Sequence, residues 1–236
     1  MSEAPRGPLT ARWLGGSLIM NPAEVPGETY YVDSNNGDDT YTGKEWSQAL
    51  ATLDAAVNKC TANNGDTIYV HPAHAESLAA DSAVDVDVAG VQIIGLRRGR
   101  EMPTFNATAT AGDFKLAAAN VSIRNLRFTG GIDATTGILE VSGADCAIID
   151  CEYRDVTGQA TDVLITTAAA DRLLIDGWVH FGAAGDGGDT AISLVGSDDC
   201  EIRNFWIYGN FDLGAIEFRT TACARVWIHD GIIWTE

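Results

Sequence analysis

The segment Ala119-Asn-Val-Ser-Ile-Arg-Asn-Leu-Arg-Phe128 recurs four more times before the chain ends. Its counterparts are Ala144-Asp-Cys-Ala-Ile-Ile-Asp-Cys-Glu-Tyr153, Ala170-Asp-Arg-Leu-Leu-Ile-Asp-Gly-Trp-Val179, Ser197-Asp-Asp-Cys-Glu-Ile-Arg-Asn-Phe-Trp-Ile207 and Ala224-Arg-Val-Trp-Ile-His-Asp-Gly-Ile-Ile233. Superposing them puts Asn125, Asp150, Asp176, Asn204 and Asp230 in one polar column, with spacings of 25, 26, 28 and 26 residues. Two residues earlier stand Ile123, Ile148, Leu174, Ile202 and Ile228. Four residues earlier stand Val121, Cys146, Arg172, Cys200 and Val226, and three residues later Phe128, Tyr153, Val179, Ile207 and Ile233. Apolar residues at alternate positions describe strands with one buried face. The polar column breaks the alternation at the same place each time, as a corner does. Arg172 is the one residue that interrupts the apolar columns.

A second apolar run precedes each segment: Phe114–Leu116, Leu139–Val141, Val163–Ile165, Ala191–Val195 and Ala215–Phe218. Each repeat therefore holds at least two short strands, and a Gly-rich connection leaves room for a third. An earlier winding is visible in Val86, Val88, Val91 and Ile93, with Gly95 at the corner position. Helical periodicity is absent from the repeats, which argues against helical solenoids and βαβ folds. Propeller blades run longer and need four strands, and a sandwich has no need of a fixed residue type at a fixed period. The expectation is an all-β chain, a right-handed parallel β-helix of about six coils at about 4.8 Å per coil.

Stacked coils lay equivalent side chains over one another, so the corner column is a ladder. Asn and Asp suit it because they tolerate left-handed backbone and bond to nearby main-chain groups. A second ladder is expected five residues earlier, at Asn120, Asp145, Asp171 and Asp199. Stacked carboxylates repel one another, so they are expected to point to water, to protonate or to share a cation. Calcium is the cation such a cluster could hold.

The net charge of -18 argues against nucleic acid as a partner, because an acidic surface repels phosphate backbones. No apolar run is long enough to cross a bilayer, so no membrane span is expected. Leu18-Ile-Met20 is too short for a leader's hydrophobic region. The five cysteines, Cys60, Cys146, Cys151, Cys200 and Cys223, are odd in number and lack C-x-x-C spacing, so reduced thiols are expected.

Thr52 to Cys60 reads as a short amphipathic helix, within about residues 52–61. Leu53, Ala56, Val57 and Cys60 form one stripe, Thr52 is the N-cap, and Asn64-Gly65 is a stop. Such a helix would cover the first coil, whose core is otherwise exposed. Residues 1–28 are Pro-rich and carry Trp13, Leu14, Leu18, Ile19 and Met20 without repeat character. They read as an extended docking arm, with the β-helix occupying residues 29–236. The chain stops at Ile232-Ile-Trp-Thr-Glu236, in mid-pattern, where a partner chain is expected to cover the last coil.

Three runs carry a resemblance: Tyr30-Tyr-Val-Asp-Ser-Asn-Asn-Gly-Asp-Asp39, Trp46-Ser-Gln-Ala-Leu-Ala-Thr-Leu-Asp-Ala-Ala56 and Gly65-Asp-Thr-Ile-Tyr-Val-His-Pro72. Together they look like the entry segment of pectate-lyase-like β-helix proteins and, more narrowly, are similar to β-helix proteins of tailed bacteriophages. That resemblance implies a virion protein on the particle surface, often a homotrimer, with phage capsid or tail proteins as partners. The small number of coils favours a capsid decoration protein over a tail fibre.

Two other readings stand beside it. Trp178, Trp206, Trp227 and Trp234 read as outward-facing, and could form an interface between copies or stack the sugars of a host glycan, as a tailspike module would. Polysaccharide lyases and hydrolases share this fold and need clustered carboxylates. The candidates are Asp186, Asp189, Asp198 and Asp199, with His180 nearby, but Gly-Asp-Gly-Gly-Asp is also ordinary turn chemistry and no base is evident. No catalytic residue or cofactor is assigned, and the protein is expected not to be an enzyme.

Overall fold

A computed structural model describes residues 12–14, 17–19, 27–130, 132–133, 135–157, 161–183 and 188–235. Three parallel sheets wrap around one core. The first has eight strands: Thr29–Val32, Thr67–Val70, Gln92–Gly95, Ser122–Arg124, Ala147–Ile149, Leu174–Asp176, Glu201–Arg203 and Trp227–His229. The second has seven: Ala75–Leu78, Thr104–Ala107, Arg127–Gly130, Glu152–Arg154, Val179–Phe181, Trp206–Gly209 and Ile232–Thr235. The third has six: Val84–Asp85, Phe114–Leu116, Thr135–Val141, Thr161–Thr166, Thr190–Leu194 and Gly214–Phe218. From Thr67 on, successive strands visit the sheets in turn, and each pairs only with its equivalents in adjacent coils. The architecture is a parallel β-helix.

The core is built of vertical columns. In the first sheet Tyr30, Ile68, Ile93, Ile123, Ile148, Ile175, Ile202 and Ile228 lie in register. The six isoleucines from Ile68 to Ile202 are fully buried. β-Branched side chains pack well on a pleated surface, and each contributes about 1.5–3 kcal/mol by leaving water. The third sheet contributes Val84, Phe114, Leu139, Leu164, Ile192 and Ile216. The second contributes Phe105, Phe128, Tyr153, His180, Ile207 and Ile233.

Left-handed residues bracket the strands of the first sheet. Before them lies a column of Asn63, Gly90, Asn120, Asp145, Arg172, Asp199 and Arg225, with φ between 56° and 78°. All but Arg225 donate a backbone N–H to a carbonyl one coil onward, at 2.7–3.1 Å. After them lies a second column, Asn125, Asp150, Gly177, Asn204 and Asp230, with φ between 52° and 77°. Polar interruptions in the sequence are thus bends of the chain, as their residue types require.

Two expected ladder members are corrected by this register. Gly177, not Asp176, stands at the corner, because Ile148 pairs with Ile175 and Ile175 with Ile202. Arg172, not Asp171, stands in the other column. Each is a displacement of one residue, and it accounts for the anomaly at Arg172: Leu173, only 1% exposed, fills the apolar position. By the same step Ile175 replaces Leu174 and His180 replaces Val179 in the inward columns. In a strand a one-residue slip exchanges the faces.

The capping helix spans Leu53–Val57, with Thr52 accepting from the Ala55 N–H at 3.3 Å and Leu53, Ala56 and Val57 buried. It packs against Thr29–Val32, Thr67–Val70 and Val84–Asp85. Buried His74 ties this end together. Its Nδ1 accepts from the Ser34 N–H at 3.0 Å, so Nε2 carries the proton and donates to Glu76 at 3.0 Å. Glu76 in turn accepts the Leu53 N–H at the helix start, at 3.0 Å. All five cysteines are free, with Cys146, Cys151 and Cys200 buried.

Within residues 1–28, Arg12–Leu14 and Ser17–Ile19 pair antiparallel, Trp13 opposite Leu18. The side chains of Trp13, Leu14, Leu18 and Ile19, and all of Met20, lie outside the described residues.

Candidate functional site

The outward face of the second sheet carries two columns that follow from the corner geometry. Two residues past the corner lie Glu152, Val179, Trp206 and Ile232; four past it lie Arg154, Phe181, Tyr208 and Trp234. Phe181 and Trp206 meet at 5.1 Å between ring centroids, and Trp206 stacks on Tyr208 at 6.0 Å. The Arg154 guanidinium sits over Phe181 at 4.4 Å, a cation–π contact. Arg154 and Arg127 both donate to the buried Glu152 carboxylate, each at 2.6 Å. The stripe becomes more exposed towards the last coil, reaching 58% at Ile232 and 64% at Trp234.

Of the four tryptophans expected on one face, two are there. Trp206 and Trp234 belong to the stripe. Trp227 is exposed on the outer face of the first sheet, against the His229 ring at 4.3 Å. Trp178 is fully buried, a correction that follows from the corner at Gly177. The left-handed glycine turns the next residue inward, into the column of Leu126, Cys151 and Phe205, all buried. Sequence reasoning missed Phe181, Tyr208 and Arg154. Their signal was a constant offset of four residues from the corner, which for Phe181 is counted from Gly177 and not from Asp176.

The carboxylate ladders are compensated by arginine. Arg172 grips Asp145 with two bonds, at 2.6 and 2.7 Å, and Arg225 grips Asp199 in the same way. The Arg172 side-chain bonds hold the Asp145 carboxyl below its usual range, and those of Arg225 do the same for Asp199. Asp176 is bound by Arg203 and by the Asn204 amide, and Asp150 by Arg98 at 2.5 Å. Asp171 accepts the Asp198 N–H at 2.9 Å. The repulsion expected of stacked carboxylates is relieved by cations of the chain itself. Among the described residues no group of three or more His, Cys, Asp or Glu side chains is placed to hold a metal ion.

Among the described residues, the acidic side chains proposed from sequence for sugar cleavage do not converge. Asp186 lies outside the described residues. Asp189 and the pair Asp198–Asp199 flank opposite ends of the strand Thr190–Leu194. Burial and the neighbouring charges of Asp162 and Asp212 push Asp189 upward. His180 is inside the cylinder, fully buried between the Tyr153 and Phe211 rings at 5.0 and 5.2 Å, and neither ring nitrogen has a hydrogen-bond partner among the described residues. Beside Asp189 on the third sheet, Arg219 binds Asp162 through two bonds, at 2.6 and 3.0 Å, and also pairs with Glu217.

No family model matches the sequence, and no curated protein matches it. Among solved structures the fold is similar to a rhamnogalacturonan lyase, with a TM-score of 0.52 and 14% identity. The match covers 84% of this chain and 62% of that one, so the chain spans less than two thirds of the enzyme's length. At that identity the likeness concerns the fold: this chain is a parallel β-helix of the kind found in that lyase.

Proposed function

We propose that the protein is a non-enzymatic structural component of a phage particle, a homotrimer that decorates and stabilises the capsid. The observation that carries the assembly reading is the aromatic stripe on the second sheet. Phe181, Trp206, Tyr208 and Trp234 run parallel to the cylinder axis and open towards the last coil. Three cylinders arranged about a parallel axis would bury such stripes against one another, and aromatic residues with arginine are the composition of interface cores. The carboxylates of Asp145, Asp150, Asp176 and Asp199 are engaged by arginines, which suits a load-carrying lattice better than acid–base chemistry. The placement on a virion rests on the resemblance of residues 30–72 to phage β-helix entry segments, and the arm at residues 1–28 is the proposed strap to the shell.

Light scattering tests the assembly. The expected mass is three times the 25.0 kDa of one chain. A Trp206→Glu/Trp234→Glu variant is expected to be a folded monomer, because two buried, unpaired carboxylates would oppose association. A wild-type protein that is monomeric at micromolar concentration removes the proposal. Glycan binding lost in the same variant while the wild type stays monomeric would instead favour a sugar-binding face.

A further inference from the structure

We infer that His229 is a proton-operated latch on the outermost coil. Charged, its ring clamps the strand Trp227–His229 to the preceding coil; neutral, it releases that strand together with Ile232–Thr235. Among the described residues Trp227–His229 is the last strand of the first sheet, and it pairs on one side only, with Glu201–Arg203. Its core position, Ile228, is 37% exposed, whereas Ile202 one coil earlier is fully buried. Little apolar burial therefore holds the strand. The Trp227 N–H donates to the Cys200 carbonyl at 2.9 Å, and the Ile232 N–H to the Phe205 carbonyl at 2.9 Å. Segments with few buried contacts open at the low end of the free-energy scale. Charge contacts that are minor inside the cylinder decide the balance there.

The His229 ring lies between two carboxylates. Its Nδ1 is 2.6 Å from Asp230 Oδ2, and its Nε2 is 3.1 Å from Glu201 Oε1. A neutral imidazole carries one N–H, so it donates to one of these oxygens and turns a lone pair toward the other. Only the imidazolium donates to both. Trp227 covers the ring, with centroids 4.3 Å apart and planes at 30°, and an indole face attracts a cation. The bonds to Asp230 and then to Glu201 raise the ring's pKa above its ordinary value. The clamp is therefore complete below the ordinary imidazole range and is lost as the pH rises through the raised value of the folded state.

The register shows that this position holds a cation. His229 stands on Arg203, and Arg203 on Asp176. Arg203 reaches back to Asp176 at 2.9 Å and sideways to Glu201 Oε1 at 2.9 Å, the same oxygen that meets His229. The charged groups around the ring are thus Glu201, Asp230 and, one coil further back, Asp176, against the single guanidinium of Arg203. The surroundings stay negative, which draws a proton onto the ring. One coil earlier the place is filled by a permanent cation; on the outermost coil it is filled by one whose charge follows pH. The corner at Asp230, with φ at 52°, joins the latch to Ile232–Thr235. Ile232 and Trp234, the exposed end of the aromatic stripe, are therefore held when the latch is closed and loosened when it opens.

The test is hydrogen exchange of the full chain from pH 5.5 to pH 8.5, corrected for intrinsic exchange rates, together with an NMR titration of the His229 ring. Protection of the Trp227 and Ile232 amides, relative to those of Leu174–Asp176, is expected to fall about threefold or more across that range. His229→Gln is expected to be loose at both ends of the range. His229→Arg, which keeps a permanent cation with several donors, is expected to be protected at both. The ring is expected to titrate above about 6.5, and lower in Glu201→Gln than in the wild type. Asp230→Asn keeps a residue type found at the equivalent corner, Asn204, and is expected to lower the midpoint as well. Wild-type protection that does not change with pH, Gln and Arg variants that behave alike, or a ring that titrates at or below the ordinary value would each overturn the assignment. The titration reads the ring itself at any oligomeric state, so failure here leaves the assembly proposal intact.

Discussion

Replacing Arg219 with methionine is expected to lower the unfolding free energy by about 3 kcal/mol, the cost of leaving a buried charge without its partner. The Asp162 side chain is 7% exposed and receives two guanidinium hydrogens, while Arg219 also donates to Thr190 at 3.4 Å and pairs with Glu217. The bonds join residues 57 positions apart, two coils of the third sheet. Methionine keeps the length of the side chain but leaves the buried Asp162 carboxyl without its two guanidinium bonds. Lysine would rescue only in part, since one ammonium cannot reproduce two parallel bonds. Adding Asp162→Leu to Arg219→Met should recover most of the loss, because removing both partners removes the stranded charge. Urea unfolding of the two single variants and the double gives the coupling directly. Strict additivity, with each single change costing under about 1 kcal/mol, would mean that the pair behaves as an exposed one.

The second large effect depends on pH. Burial lowers the His180 pKa from 6.5 to about 3, so the folded protein holds the ring neutral. The unfolded chain takes up a proton near pH 6.5 that the folded chain refuses until about pH 3. Stability is therefore full above pH 6.5 and declines below it, by about 1.4 kcal/mol per pH unit. His180→Phe removes that dependence and fits a column that already holds Phe105, Phe128 and Tyr153. It also removes two ring nitrogens that have no partner among the described residues. The variant is expected to exceed the wild type by about 1 kcal/mol at pH 7, from the unsatisfied nitrogens. At pH 4.5 the linkage adds about 3 kcal/mol more. Carboxylates such as Asp113 and Asp155, which burial pushes upward, titrate alike in both proteins and cancel in the difference. Stability curves that stay parallel from pH 7 to pH 4.5 would show that the ring reaches a proton acceptor or solvent.

Much of the molecule was legible in the repeats. Alternation of Ile, Val and Cys with polar residues marks a one-sided strand, and Asn or Asp at a fixed period marks a left-handed bend. Those two patterns recur five times, and only coils stacked in register reconcile them. The helix at Leu53–Val57 was equally plain from its stripe and its Thr52 cap. The tryptophan face was half legible, because parity along a strand separates inward from outward only when the corner is placed correctly.

At Asp176-Gly177 the local chemistry was ambiguous, since either residue makes an acceptable turn. Pairing with the isoleucine columns above and below chose Gly177, and that choice moved Trp178 into the core, brought His180 inside and put Arg172 beside Asp145. Composition and period, then, determined the stacked-coil architecture, because backbone pairing between equivalent strands needs nothing more than a repeated pattern. Tertiary structure alone decided the partners of each charge and the aromatic stripe. Those depend on side chains from different coils meeting across a register that local propensity leaves open by one residue.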